Sequence, residues 1–432
     1  MVNQPVYIVD GTRSPFLKAR NQPGPFGAGD LATQAGRELL LRQPFAPEQL
    51  DEVILGCAAP APDEVNIGRV VALRLGGGHQ VPGWTVMRNC ASGMQALDSA
   101  IRSIQTGRSH LVLAGGTDAL SRTPVSLQPD MITWLSHWNR ARDPLARLKA
   151  LRALRLRHLK PVIGLLVGLT DPVVGLSMGQ TAENLAHDFG ITRAEMDQYA
   201  ARSHVLARRA QERGLLDDEI IPLTDHQGQA YPVDDGVRED STPGRLGKLK
   251  AVFDPPWGNI TAGNSSQVTD GAAMLLVASA RAVEEHGLQP LGRIIDTQWA
   301  ALDPARMGLG PVMAASPILM RHQLSLDDVD LWEINEAFAA QVLACLAAWQ
   351  DDDWCRQHLQ HPAFGELNMD TLNVNGGAIA IGHPVGASGA RIVLHCLNTL
   401  KERKLKRGMA AICIGGGQGG AMLLESCSGA HA

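Results

Sequence analysis

Short apolar runs alternate along this chain with stretches whose apolar residues recur every three to four positions. The first pattern predicts buried strands and the second predicts amphipathic helices. Residues 6–9 predict a strand, followed by a Gly/Pro-rich loop through Gly29, a helix over 30–41, a strand at 53–55 and a helix over 67–75. Apolar and β-favouring residues then run from Trp84 to Met87. Met94, Leu97, Ile101 and Ile104 carry helical spacing up to a stop at Gly107. Residues 111–116 form an apolar run that ends in two glycines. Strands alternating with helices in this way predict a layered α/β domain.

The pattern breaks near Thr123. Residues 140–160 hold eight Lys/Arg against the single acid Asp143, with leucines at 145, 148, 151, 154, 156 and 159. On a helical wheel these leucines spread over about half the circle with arginines between them, so no clean apolar face emerges. Residues 162–169 add an apolar run shorter than the ~18 residues a membrane span needs. Three readings stay open for 140–170: a solvated basic surface over a packed insertion, a docking face for a partner chain or a membrane surface, or a positive field for a phosphate-bearing substrate.

Helices are expected over 178–190 and 193–213, then polar loops to Gly247. A second α/β series starts near Val268. It holds strands at 329–334, 371–374, 409–414 and 421–424, helices over 337–349 and 390–400, and a polar connection at 350–370. Residues 111–116 and 411–416 each read as an apolar strand running into glycines, which suggests a duplicated domain. The expected division is 1–123 with 245–280 as the first half, 124–244 as an inserted loop domain, and 281–432 as the second half.

Composition narrows the function. A formal charge of −5 gives no support to nucleic-acid binding, and 45% hydrophobic residues with 45 glycines suit a globular α/β protein with many tight turns. Seven cysteines with no C-x-x-C pair and no Cys/His cluster at zinc spacing argue against a disulfide framework or a structural metal. The N-terminus lacks a signal-peptide layout. The expectation is a soluble, cytoplasmic protein without a metal.

Four stretches carry the candidate chemistry. Cys90 lies at a strand-to-helix turn among Ala91, Ser92 and Gly93, where unpaired backbone N–H groups favour a thiolate and small neighbours admit a bulky electrophile. His383 lies in a glycine-dense loop before a helix, and a neutral imidazole suits proton removal from a thiol near pH 7. Cys413 ends a buried strand at the glycines 415–417. Gly415, Gly417 and Gly420 formally satisfy G-x-G-x-x-G, but only twelve residues remain, too few for a dinucleotide-binding unit. Asn335 either caps a helix or polarises a carbonyl through a water. Two cysteines, a histidine and an asparagine on such turns suit carbon–carbon chemistry on a thioester.

These stretches resemble the thiolases over nearly the whole chain: N-C-A-S-G-M-Q-A around Cys90, N-E-A-F-A-A-Q from Asn335, G-H-P-V-G-A-S-G from Gly382 and C-I-G-G-G-Q-G from Cys413. The resemblance implies a five-layered αβαβα fold from two similar β-α-β halves with an inserted loop domain. It implies that Cys90 is the nucleophile, His383 its base and Cys413 the acid/base at the α-carbon. Asn335, through a water, and His383 would form one oxyanion hole, and the backbone N–H groups of Cys90 and Gly415 the other. Coenzyme A, a co-substrate rather than a bound cofactor, would meet Met178, Arg238, Ala262, Ser266, Ala337 and Phe338. The implied activity is 3-ketoacyl-CoA thiolysis in fatty-acid β-oxidation, with acetoacetyl-CoA synthesis or a partner-docking role as alternatives. A homodimer or dimer of dimers is also implied.

The chain departs from the short-chain pattern at 264–271, where N-S-S-Q-V-T-D-G replaces N-A-S-G-x-N-D-G, and at Ser177, where many members place a histidine. Its basic insertion and the Asp351-Asp352-Asp353-Trp354 connection look more like the β-subunits of fatty-acid trifunctional complexes. That likeness adds a hydratase/dehydrogenase α-subunit as an expected partner. Those subunits often carry His where this chain has Asn335.

Overall fold

The computed structural model describes residues 4–20 and 22–427. Apolar strands gather into one mixed sheet because each must pair its backbone and bury its side chains at once. The strands are β1 (Val6–Arg13), β2 (Glu52–Gly56), β3 (Gly83–Val86), β4 (Leu111–Ala119), β5 (Thr269–Ser279), β6 (Gly292–Ala301), β7 (Leu331–Ile334), β8 (Arg407–Ile414) and β9 (Gln418–Ser426). Their order is β7-β8-β9-β6-β1-β5-β4-β2-β3, with the two-residue strand Leu17–Lys18 beside β5.

The order contains a repeat. In the first half β2 runs parallel to β4, while β5 lies antiparallel between β4 and β1. In the second half β7 runs parallel to β8, while β9 lies antiparallel between β8 and β6. The halves meet where Val6, Tyr7 and Ile8 of β1 pair with Ile294, Arg293 and Gly292 of β6. β3 has no full counterpart. The strand expected at 371–374 reduces to a single parallel bridge, Trp332 to Leu372. Asn373 turns the chain there at φ +44°, and its side chain replaces the ladder by bonding Ile334 N and O.

Helices α1 (Ala28–Leu41) and α2 (Ile67–Arg74) pack with β2, β4 and β5 on one outer face around Leu31, Leu39, Val53, Val71 and Met274. On the other side lie α6 (Met178–Asp188), α7 (Arg193–Glu212), α8 (Gly310–His322) and α9 (Ala339–Gln350), around Trp332 and Trp349. Between the halves, α3 (Ser92–Gln105) and α11 (Val385–Arg403) share a third core with Ile8, Ile54, Val112, Leu275 and Ile412. A Cβ on Gly93 would meet Gly386 O at 2.7 Å, so the glycine lets the two central helix starts approach closely. The two halves of the sheet thus enclose α3 and α11 and carry the other helices on their outer faces, a mixed α/β fold.

The connection from β4 to β5 carries α4 (Pro129–Arg140) and α5 (Pro144–Ala153), then the strand Pro161–Ile163 and the helical turn Gly164–Gly168. The region 350–370, expected as a plain connection, contains α10 (Asp352–Leu359), started by Asp351 accepting from Trp354 N. Among the described residues, no helix is long and apolar enough to cross a membrane.

Candidate functional site

Cys90 sits between β3 and α3 on a turn closed by its neighbours. Ser92 Oγ accepts from Arg88 N at 2.9 Å and donates to Asn89 O at 2.7 Å. Asn89 adopts φ +43°, a left-handed conformation that asparagine tolerates, and its Nδ2 donates to Gly415 O at 2.8 Å. This bond ties the turn of the first half to the β8–β9 turn of the second. Cys90 is half-buried and lines a cavity. Burial pushes its thiol pKa up, while N–H groups of Gly415 and of Cys90 itself pull it down.

Cys413 lies within β8 and is fully buried. Burial, with Cys90 and Cys345 nearby, pushes its thiol well above the ordinary range, so it holds its proton at neutral pH.

His383 precedes α11, its N donating to Gln267 O at 3.0 Å. Its Nδ1 lies 2.6 Å from Ser388 Oγ, and that hydroxyl donates to Pro384 O at 3.0 Å. With its hydrogen committed to Pro384, Ser388 accepts from Nδ1–H, which assigns the free lone pair of the ring to Nε2. Nε2 is buried without a protein partner. Burial, with Arg391 adding to it, lowers the imidazole pKa to about 4, so the ring is neutral at pH 7.

Asn335 follows β7, its N donating to Ala411 O at 2.9 Å. The helix beyond it starts only at Ala339 with Phe338 as its cap, so the capping reading of Asn335 is wrong. Its Oδ1 and Nδ2 are both buried and unpartnered. A buried amide that no protein group bonds is costly to keep, so its two ends are free to hydrogen-bond a further group.

Two buried carboxylates hold these parts together, and the sequence reading missed both. Glu336 accepts from Tyr199 OH (3.0 Å), Ser203 Oγ (2.7 Å), Asn373 Nδ2 (3.0 Å) and Ile379 N (3.1 Å), fixing the shoulder of Asn335 to the loop before His383. Asp118, in β4, accepts from Ala59 N at 2.8 Å, Gly386 N at 2.5 Å and Cys57 Sγ at 3.2 Å. It thereby clamps the start of α11 to the wall of the Cys90 cavity. The available signal was an acidic residue inside an otherwise apolar run.

A cavity of 340 Å³ opens on Cys90. Asn89, Met178, Val385, Gly415 and Gly416 line it with Cys90, and Leu120, Leu165, Leu169 and Val173 add an apolar wall. A second cavity of 860 Å³ shares Leu120, Thr123 and Leu165 with the first and adds Lys18, Arg122, Phe253, Ala262, Ser266 and Gln267. Of the residues expected to meet coenzyme A, Met178 lines the first cavity, and Ala262 and Ser266 the second. Ala337 and Phe338 stand behind that wall: Ala337 O accepts from Ser266 N at 2.9 Å, and Phe338 packs edge-on to Phe253. Arg238 lines neither cavity; its N donates to His204 Nδ1.

Comparison with known proteins shows the family and the fold. Family models described as thiolase, N-terminal domain, and thiolase, C-terminal domain, match residues 6–281 and 288–426. A 3-ketoacyl-CoA thiolase of Yersinia enterocolitica is 37% identical, over 97% of this chain and 96% of its own. The Bacillus anthracis acetyl-CoA acetyltransferase structure superposes with a TM-score of 0.84 at 37% identity, covering 98% of this chain and 99% of that one. Human mitochondrial 3-ketoacyl-CoA thiolase in complex with CoA superposes with a TM-score of 0.83 at 35% identity, covering 98% of both chains.

Proposed function

The chain belongs to the thiolase family and is an acyltransferase, and from that premise we propose that it cleaves 3-ketoacyl-CoA with coenzyme A to give acetyl-CoA and a shortened acyl-CoA. One observation carries the reading. Among the described residues His383 Nε2 and both ends of the Asn335 amide are buried with no partner, and Cys90, whose sulfur faces backbone N–H groups, lies close enough to Cys413 to raise its pKa.

The residues divide the reaction as follows. His383 Nε2 takes the proton of Cys90, whose thiolate attacks the keto carbon. The bond between that carbon and the α-carbon breaks, and its electron pair passes into the enolate of acetyl-CoA. Asn335 through a water, together with protonated His383, stabilises the enolate oxygen. The buried Cys413 thiol then protonates the α-carbon and acetyl-CoA leaves. Coenzyme A attacks the acyl-Cys90 thioester, and the N–H groups of Cys90 and Gly415 hold the resulting oxyanion. The thiol proton of coenzyme A restores Cys413, and the proton on His383 returns to Cys90, so the cycle closes without net change in the protein.

Coenzyme A would occupy the 860 Å³ cavity, whose Lys18 and Arg122 suit its phosphates. Its thiol end would reach Cys90 past Met178. The apolar wall of Leu165, Leu169 and Val173 supports an acyl chain longer than acetyl. The likeness to an acetyl-CoA acetyltransferase supports the second reading, condensation to acetoacetyl-CoA by the same groups in reverse. The chain would divide at 1–123 with 245–280, 124–244 and 281–432. A homodimer is supported by the sheet-edge strand β3, where Trp84 within it and Met87 just after it are exposed.

The test is CoA-dependent cleavage of acetoacetyl-CoA, 3-ketodecanoyl-CoA and 3-ketohexadecanoyl-CoA, with Cys90→Ala as control. Faster turnover of the longer substrates, with an acyl adduct on Cys90 in the mass spectrum, is the expected result. A preference for acetoacetyl-CoA would favour the second reading, and turnover by Cys90→Ala would refute both.

A further inference from the structure

His383 is held from its C-terminal side by Ser388 and, through Gly386, by Asp118. Gln267 holds it from the other side. The main-chain O of Gln267 accepts from His383 N at 3.0 Å. Its side chain grips the residues just before: Nε2 donates to Ile379 O at 3.1 Å, to Ala380 O at 2.9 Å and to Gly236 O at 2.9 Å. Carbonyls crowded around one end of the amide assign that end as the nitrogen.

The need for such a donor is local. Residues Ala378–Ile381 make a single helical turn, which Gly382 ends at φ +102°. A helix end leaves its last carbonyls without an intrahelical donor, and a turn this short is nearly all end. Ile379 and Ala380 are buried, so water does not supply the missing bonds cheaply. Glu336 takes Ile379 N while Gln267 takes the carbonyls, so a carboxylate and an amide grip the turn from its two polarities. Thr269 closes the bend, since a Cβ on Gly382 would strike its side chain. Gln267 and Thr269 are two of the departures from N-A-S-G-x-N-D-G at 264–271. Glycine, which that pattern carries at 267, has no side-chain donor, so this grip belongs to the present chain.

We propose that Gln267 is a positioning residue: its amide fixes the turn 378–381 and thereby holds His383 in the place from which it serves Cys90. Gln267 acts through His383 and not on the reacting atoms. The inference rests on His383 being the base for Cys90, as proposed above. Gln267 also lines the 860 Å³ cavity, so the rival role is a direct contact with coenzyme A. Kinetics separate the two, because a misplaced base lowers kcat whereas a lost substrate contact raises KM.

The test uses two readouts on the full chain. One is thiolysis of 3-ketodecanoyl-CoA. The other is the rate of Cys90 alkylation by iodoacetamide between pH 5 and 9, read on the Cys90 peptide by mass spectrometry, which needs no substrate. Gln267→Glu keeps the size of the side chain but turns a carboxylate toward the carbonyls, and Gln267→Met keeps its length without any donor. In both, kcat should fall by about 10- to 100-fold, with KM for coenzyme A within about twofold of the parent. Alkylation near pH 7 should slow in both, in the direction set by a His383→Ala control. Should the glutamate variant not fold, the methionine variant carries the test. Full kcat and full alkylation in the methionine variant would show that bulk alone suffices and would overturn the proposal. A raised KM for coenzyme A with kcat and alkylation intact would make Gln267 a substrate contact and overturn it equally. Unchanged alkylation in His383→Ala would remove the base assignment, and this inference with it. A parent that cleaves no 3-ketoacyl-CoA would refute the activity proposed above, and the alkylation rates alone would then decide the role of Gln267.

Discussion

The two halves of the sheet share a strand plan and differ in one connection. Between β4 and β5 the chain travels from 120 to 268, through helices, loops and both cavity walls. Between β8 and β9, the matching place in the other half, it turns within the glycines 415–417. Gly416 and Gly417 take φ of +92° and +76°, which a side chain would strain, and the turn leaves the Gly415 N–H facing Cys90. One half has thus grown a long connection that lines both cavities, while the other has kept its loop short and holds Cys413, His383 and Asn335 buried. On the proposed mechanism the difference would separate recognition from proton handling, with Cys90 at the border: it belongs to the first half and is tied through Asn89 to the second.

The strongest test of that division lies in the two cysteines. Cys413→Ala should cut cleavage by about 10²- to 10⁴-fold, the range for a lost general acid. The variant should still exchange acyl groups between Cys90 and coenzyme A. Cys90→Ala should lose both activities, and equal loss of exchange in Cys413→Ala would break the division. Next comes stability. Trp332→Ala, in the interior of the second half, should cost about 3–5 kcal/mol in a denaturant titration.

A pH titration of stability comes third. His383 and His204 are both held neutral, with pKa values of about 4; for His204 the causes are burial first, then Arg238 and Lys18. Their unfolded values lie near about 6.5, so the unfolded chain binds more protons between those limits. Stability should therefore be full above about pH 6.5 and fall as pH drops toward 4. His204→Gln should reduce that acid sensitivity while leaving turnover at pH 7 unchanged; an unaltered pH profile of stability would remove His204 from the account. The smallest effect is expected in the long connection. Leu148→Ser, on the exposed α4–α5 hairpin, should shift unfolding by no more than about 0.5 kcal/mol, and a large loss would show that the hairpin is core after all.

Local turn chemistry made much of this legible in advance. The strand, turn and helix around Cys90 follow from Trp84, Met94 and Gly107, and the likeness of 111–116 to 411–416 corresponds to β4 and β8, which occupy equivalent places in the sheet. What escaped the sequence was decided by tertiary partners. Asn335 has the look of a helix cap, yet its helix starts late, at Ala339. Thr371 and Val374 favour a strand, but the Asn373 side chain takes over the bonds that a ladder would make. Asp118 and Glu336 have the composition of surface residues and are buried because several N–H and O–H donors converge on each. The hairpin at 129–168 has no clean apolar face, so its periodicity alone did not say whether it packs inward.

The unequal connections also mark where the molecule accepts engineering. A peptide tag, reporter or fusion module inserted at 142–143, between α4 and α5, would enter an exposed junction outside every strand of the large sheet. One extra residue at Gly416 would shift the register of β8 against β9 and swing the Gly415 amide away from Cys90. Directed evolution of this scaffold therefore has a permissive side and a forbidden side, and they correspond to the same step in the two copies of the strand plan.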